Sequence, residues 1–420
     1  TAARRASLRL LDAVLRRGEA LEAALPAATR AVQGPDRGLA HAIVAETLRR
    51  LPDLDALIDG ATRQRLPDDA KGRAALRIAL VQVLILGTPP HAAIATVLPL
   101  VDGGPRKLVH GVFGTLMRQD ARLPVVPTLL PAVAERWTAA WGADVAEGAA
   151  KALAAPPPLD LSLADPRGTQ EWAERLGAVS LAPGHVRVAS GQGAVPELPG
   201  FAEGAWWVQD LAASIPARML ADVDGHVLDL CAAPGGKTLQ LVAQGKQVTA
   251  VDASQSRLAR LEDNLRRTGL TADVIRADVL DWAPATPADA VLLDAPCSAS
   301  GISRRHPDVL HRAHPGIIAE MAGLQRRLFA RAADWVRPGG VLVYATCSLE
   351  PDEGEHQLDA FLAMRSDYRL DRGLAGRLPA SLAPAIRSNE AGEYIRTLPG
   401  LLADAGGCDG FFVARLIRNG

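Results

Sequence analysis

Aromatic residues make up only 4% of this 420-residue chain, so the sequence names no ring on which a planar ligand would stack. Cysteine is also sparse. The four, Cys231, Cys297, Cys347 and Cys408, include no C-x-x-C pair, which argues against a zinc site and a disulfide framework. The plainest expectation for any one of them is a small buried hydrophobe. No apolar run reaches the roughly 20 residues of a membrane span. The longest, Ala74 to Gly87, is interrupted by Arg77 and Gln82. Thr1 to Leu10 lacks the apolar core of an export signal, so a cytoplasmic protein with no membrane partner is expected. Neither charge sign dominates, with a net charge of −1.

What is present is an ordinary globular balance, 48% apolar and 22% charged. The charge is unevenly placed. Residues 1–130 hold 18 basic and 12 acidic residues, leaving the remainder at −7. A modestly basic front part is compatible with phosphate contacts and equally with a solvated helical surface.

The front part reads as helices. Leu8, Leu11 and Leu15 recur at helical spacing, as do Ile43, Val44, Thr47, Leu48 and Leu51. Further helices are expected over Ala74–Leu86, stopped by Pro89-Pro90, over Ala92–Val101 and over Arg106–Arg118. A proline-bearing connector follows, then a helical stretch over 132–154. After Pro156-Pro157-Pro158 come a strand (Leu159–Leu163), a helix (about Gly168–Leu176) and a strand (His185–Ala189). From about Phe201 short apolar strands alternate with helices: Val227–Cys231, Gln247–Val251, Asp273–Arg276, Ala290–Leu293 and Val341–Ala345, with Phe411–Ile417 as a last strand. That alternation implies a parallel sheet with ligands at the carboxyl ends of its strands. Three domains are therefore expected: an all-α domain over 1–122, a linker with a small α+β subdomain over 123–200, and an α/β Rossmann-like domain over 201–420.

Asp229-Leu-Cys-Ala-Ala-Pro-Gly-Gly-Lys-Thr238 ends the first strand of the α/β part and opens a helix. A phosphate-binding P-loop would need its first glycine where Cys231 stands, and no G-x-G-x-x-G is present. A glycine turn without a phosphate cradle suits a ligand without phosphates, such as S-adenosylmethionine. Cys231, Ala232, Ala233, Pro234, Gly235, Gly236 and Lys237 are the candidate lining. Asp252, 21 positions after Cys231, is placed to accept bonds from ribose hydroxyls, and Asp278 to meet an adenine edge. Each aspartate alone would more simply be a turn cap. Asp294-Ala-Pro-Cys-Ser-Ala-Ser-Gly301 follows the fourth strand and Thr346-Cys347-Ser348 the fifth, so both thiols can face one pocket.

The set DLCAAPGGKT, VDAS, DAPCSASG and TCS resembles the RNA 5-methylcytosine methyltransferases of the Sun and nucleolar-protein family. Trp207–Ser214 resembles the helix entering the catalytic domain of that family. Arg304-Arg-His-Pro-Asp308 resembles its basic loop, and Asp409–Ala414 its C-terminal strand. The stretches Ile78–Leu84, Pro89–Ile94 and Lys107–Val112 resemble the NusB-type helical RNA-binding domain, with His110 where such sequences often carry Asn. The combination implies a monomeric, metal-free enzyme that methylates carbon 5 of a specific cytosine in 16S ribosomal RNA from S-adenosylmethionine. It implies Cys347 as nucleophile, Cys297 as the aid to proton removal and release, Asp294 as a bond to the cytosine edge, and Arg304 and Arg305 as phosphate contacts. DNA cytosine methyltransferases attack with a Pro-Cys thiol, so the reverse assignment of the cysteines stays open. So do a transfer RNA cytosine methyltransferase and a non-catalytic RNA-binding assembly factor.

Overall fold

The computed structural model describes residues 1–32 and 34–420, in two compact units: Thr1–Ala155 with Ser303–His314, and Pro156–Ile302 with Pro315–Gly420.

The first unit is helical. Among its helices are Ala2–Leu15, Pro35–Arg49, Leu51–Gly60, Lys71–Leu84, Pro90–Val97 and Gly104–Arg118. They bury one apolar cluster that includes Leu10, Ile43, Leu48, Leu54, Ile78 and Leu80. Lys71–Leu84 runs through its middle, and the polar residues that interrupt its apolar pattern are each matched there. Arg77 forks onto Asp55 through two 2.7 Å bonds. Arg73 pairs with Asp55 and Asp59. Gln82 donates to Ile78 O and accepts from Arg4 Nε. Buried polar groups satisfied in this way cost little. The helix expected over Ala92–Val101 ends at Val97 and tightens into a 3₁₀ turn, Leu98–Leu100, because Pro99 has no N–H to continue the ladder. The stretch 132–154 is two helices, Pro131–Trp141 and Ala143–Ala152, broken at Gly142 (φ 96°).

Ser303–His314 also belongs to this unit. Asp308 accepts from Leu21 N at 3.2 Å, His311 Nε2 bonds Leu48 O at 3.0 Å, and Arg312 Nε donates to Gly18 O at 3.0 Å.

The second unit holds two sheets. The smaller comprises β1 (Leu159–Leu163), β2 (Val179–Ala182), β3 (His185–Val188) and β4 (Trp206–Val208), in the order β2-β3-β1-β4 and antiparallel throughout. The helix expected to begin at Trp207 does not form there. Trp207 sits in β4 and pairs with Ser162, because Trp and Val suit a half-buried pleat. Helix begins only at the 3₁₀ turn Ala212–Ser214 and continues as Ile215–Arg218.

The larger sheet contains β5 (His226–Leu230), β6 (Gln247–Asp252), β7 (Asp273–Arg276), β8 (Ala288–Asp294), β9 (Val336–Thr346), β10 (Tyr368–Leu370), β11 (Ile386–Ser388), β12 (Glu393–Thr397) and β13 (Phe411–Arg418). Its order is β11-β12-β13-β9-β8-β5-β6-β7, with β10 also on β13. Strands β5 to β9 are parallel, and β13 lies antiparallel on β9. Strand order reverses between β5 and β8, and such a switch point opens a crevice at the strands' carboxyl ends. Leu228, Leu230, Val291 and Leu293 pack on one face of the sheet, and Val227, Ala290 and Leu292 on the other.

Candidate active site

The turn after β5 is shaped by its backbone. Cys231 adopts φ 58°, and Gly235 sits at φ 106°, where a Cβ would lie 2.8 Å from Leu261 Cγ. Only glycine fits both the dihedral and the approach. The helix Gly236–Ala243 follows. Ala232 and Ala233 are buried, Pro234 is exposed, and burial pushes the half-buried Cys231 thiol up.

Asp252, at the end of β6, holds this turn in place. Its Oδ2 accepts from Ala233 N at 3.1 Å and its Oδ1 from Ser254 N at 2.9 Å. Each oxygen keeps a second lone pair. Arg257 donates to Ala233 O and lies 3.6 Å from Asp252. Asp278 is exposed beyond β7 and accepts from Leu280 N at 2.9 Å, the bond of a turn-capping aspartate.

Lys237 bridges the switch point. Its Nζ donates to Asp294 Oδ2 at 2.7 Å, tying the turn after β5 to the turn after β8. It also lies 5.3 Å from the Phe411 ring centre. Burial works against the ammonium, but Asp294 outweighs it and raises the Lys237 pKa, with Cys347 and Asp229 acting in the same direction.

The two cysteine turns meet because β8 and β9 are adjacent and parallel. Cys297 Sγ lies 3.4 Å from Cys347 Sγ. Contact with Cys347, burial and the Glu353 carboxylate all push the Cys297 thiol up. Gly301 N donates to Cys347 O at 3.0 Å. A Cβ on Gly301 would fall 2.1 Å from Gly410 O, so this approach needs glycine. Ala299 adopts φ 59°, a conformation non-glycine residues hold only when their surroundings enforce it.

Cys297, Cys347, Asp294 and the 231–237 turn are thus gathered at one end of the parallel strands. Arg304 and Arg305 are not part of that unit. They belong to the helical one, with Arg304 buried and Arg305 half-buried. The Lys237–Asp294 pair was not legible as a contact. Nor was the role of Glu353, which is buried and bonded to the serines beside both cysteines.

The parallel strands with two thiols at their ligand-side turns define a Rossmann-like methyltransferase unit. A family profile described as 16S rRNA methyltransferase RsmB/F matches residues 218–417, and a NusB family profile matches residues 1–115. Ribosomal RNA small subunit methyltransferase B of Klebsiella pneumoniae is 34% identical, over 97% of this chain and 96% of its own. The chain belongs to the 16S rRNA methyltransferase RsmB/F family. The crystal structure of PH0851 has the same fold, with a TM-score of 0.72 at 23% identity over 98% of both chains. That of NSun6 from Pyrococcus horikoshii with SFG has a TM-score of 0.56 at 20% identity, over 69% of this chain and 98% of the other.

Proposed function

We propose that this protein methylates carbon 5 of one cytosine in 16S ribosomal RNA, in the cytoplasm and as a single chain, with S-adenosylmethionine as methyl donor. The 3.4 Å contact of Cys297 and Cys347 beside the Lys237–Asp294 pair carries this reading. Residues 1–122 select the RNA, 123–200 connect, and 201–420 perform the chemistry.

The residues present suit a cationic, phosphate-free cofactor. Asp252 and Asp294 both lie close enough to Asp229 to push its carboxyl up, behind burial as the main cause. Asp229 Oδ1 is buried with no hydrogen-bond partner among the described residues. Cys231 to Lys237, Asp252 and Asp278 would hold the cofactor, which supplies an electrophilic methyl on a sulfonium. Asp294 would also border the cofactor and hydrogen-bond the cytosine edge. Cys347 thiolate would add to carbon 6 and shift the ring's electron pair to carbon 5, making that carbon nucleophilic toward a methyl electrophile. Cys297 assists removal of the carbon 5 proton, and the returning electrons break the carbon 6–sulfur bond. The 3.4 Å contact supports a division of labour, since two sulfurs this close disfavour ionising together and one thiolate can attack while the other is still a thiol.

Bisulfite sequencing of ribosomal RNA from cells with and without the gene tests the reading. One protected cytosine in 16S RNA should lose its protection. Loss confined to transfer RNA, or no loss anywhere, would favour the transfer RNA enzyme or the assembly factor.

A further inference from the structure

We propose that Glu353 is a positioning residue that sets the separation of the two cysteine turns. The inference rests on the reading of Cys347 and Cys297 as the reacting thiols.

Glu353 lies six positions beyond Cys347, in the 3₁₀ turn Pro351–Glu353, and its side chain is fully buried. Its carboxylate reaches back to both cysteine turns. Oε1 accepts from Ser298 N at 2.8 Å and from Gln325 Nε2 at 3.1 Å. Oε2 accepts from Ser298 Oγ at 2.5 Å and from Ser348 Oγ. Ser298 directly follows Cys297, and Ser348 directly follows Cys347. One carboxylate therefore binds the neighbours of both thiols.

Ser298 N and Gln325 Nε2 can only donate, which fixes Oε1 as an acceptor, and Oε2 gathers both serine hydroxyls onto one atom. Gln325 extends the clamp by donating to Pro296 O at 2.8 Å, on the other side of Cys297. The backbone carbonyl of Glu353 accepts from Tyr344 Oη and Thr346 Oγ1 of β9, which holds the turn on the strand that delivers Cys347. Burial of this kind without exposed surface makes Glu353 a poor candidate for touching RNA. Its bonds all go to the frame around the sulfurs.

The test compares the full chain with Glu353→Gln, which keeps the size but replaces the oxygen that accepts from both serine hydroxyls by an amide N–H₂ that cannot accept. Misplacement of reacting groups by a fraction of an ångström predicts a kcat loss of about 10²-fold, with KM for RNA and cofactor affinity held within about threefold. A second readout needs no turnover. Diamide oxidises a close thiol pair to a disulfide, its N=N bond taking up the two hydrogens. Mass spectrometry should show Cys297–Cys347 cross-linking markedly slower in Glu353→Gln than in the parent. Should Glu353→Gln lose cofactor binding through misfolding, Ser298→Ala combined with Ser348→Ala removes both hydroxyl donors from the clamp and should show the same two losses. A folded variant with parental kcat and parental cross-linking overturns the proposal. Cys347→Ala and Cys297→Ala run alongside. If both turn over normally, the thiol reading itself has failed, whatever Glu353 does.

Discussion

Lys237 Nζ and Asp294 Oδ2 meet at 2.7 Å across the point where the strand order reverses, and the two partners differ in exposure. The lysine side chain keeps 11% of its surface in solvent and the aspartate 29%. Removing one partner of a buried pair strands the other, and the cost follows how well the survivor can hydrate. Asp294→Ala should therefore cost more than Lys237→Met, about 3 kcal/mol against about 1 kcal/mol. Urea unfolding of the two variants checks the order. Equal losses would show that the ammonium finds another partner. Both variants should also lose methylation, since each removes a group that borders the thiols.

Asp229 gives the site a pH dependence. Burial is the main cause that raises its carboxyl to about 7, with Asp294 and Asp252 adding and Thr238 and Lys237 opposing. A carboxyl raised on folding favours the folded state while it is protonated. That contribution is complete below the unfolded pKa near 3.8 and is lost as pH rises toward 7. Asp229→Asn mimics the protonated form and still accepts from Thr238. The drop in melting temperature between pH 5 and pH 8 should shrink in this variant. A cationic cofactor should also bind the parent more tightly at pH 8 than at pH 5.5, and Asp229→Asn should flatten that difference. Calorimetry at the two pH values reads both effects, and parallel pH curves for parent and variant would contradict them.

The parallel strands were legible because most carry a short apolar run closed by a turn, and β7 matches its expected bounds, as does β1 of the antiparallel sheet. Of the antiparallel edge only β13, expected over Phe411–Ile417, was legible. Strands β10, β11 and β12 are three to five residues long and carry Arg369, Arg387 and Arg396, so pairing with neighbours rather than composition makes them strands. The cysteine turns could be placed from strand order alone, but Glu353 could not be told from Glu350, Asp352 and Glu355 around it. Burial against Ser298, 55 positions away, is what distinguishes it. Arg304 and Arg305 read as a basic loop for the same reason. No local pattern reports that Asp308 bonds Leu21 N, 287 positions away.

That anchoring also decides how RNA selection should be tested. Deleting the first helices would strip Asp308 and His311 of their partners at Leu21 and Leu48, so surface charge is the cleaner variable. Arg106 and Lys107 are exposed on the helix Gly104–Arg118. Replacing both by glutamine should raise KM for ribosomal RNA and reduce the slope of log affinity against log salt by about 1 per lost phosphate contact. Cofactor affinity should be unchanged. An unaltered salt slope would place the RNA on another face of the unit.

Substituting each thiol in turn separates their roles. If Cys347 attacks, Cys347→Ala should abolish methylation and form no covalent RNA adduct. Cofactor binding should survive, because the change removes a small side chain and leaves Cys347 O free to accept from Gly301 N as before. If Cys297 acts in proton removal and release, Cys297→Ala should still permit attack and methyl transfer. The enzyme then stalls with carbon 6 bonded to sulfur, and the adduct survives denaturing electrophoresis. The double variant should show none, since trapping requires the nucleophile. An adduct found only in Cys347→Ala would assign the attack to Cys297. Full turnover by both single variants would remove covalent catalysis altogether and leave two thiols 3.4 Å apart as packing.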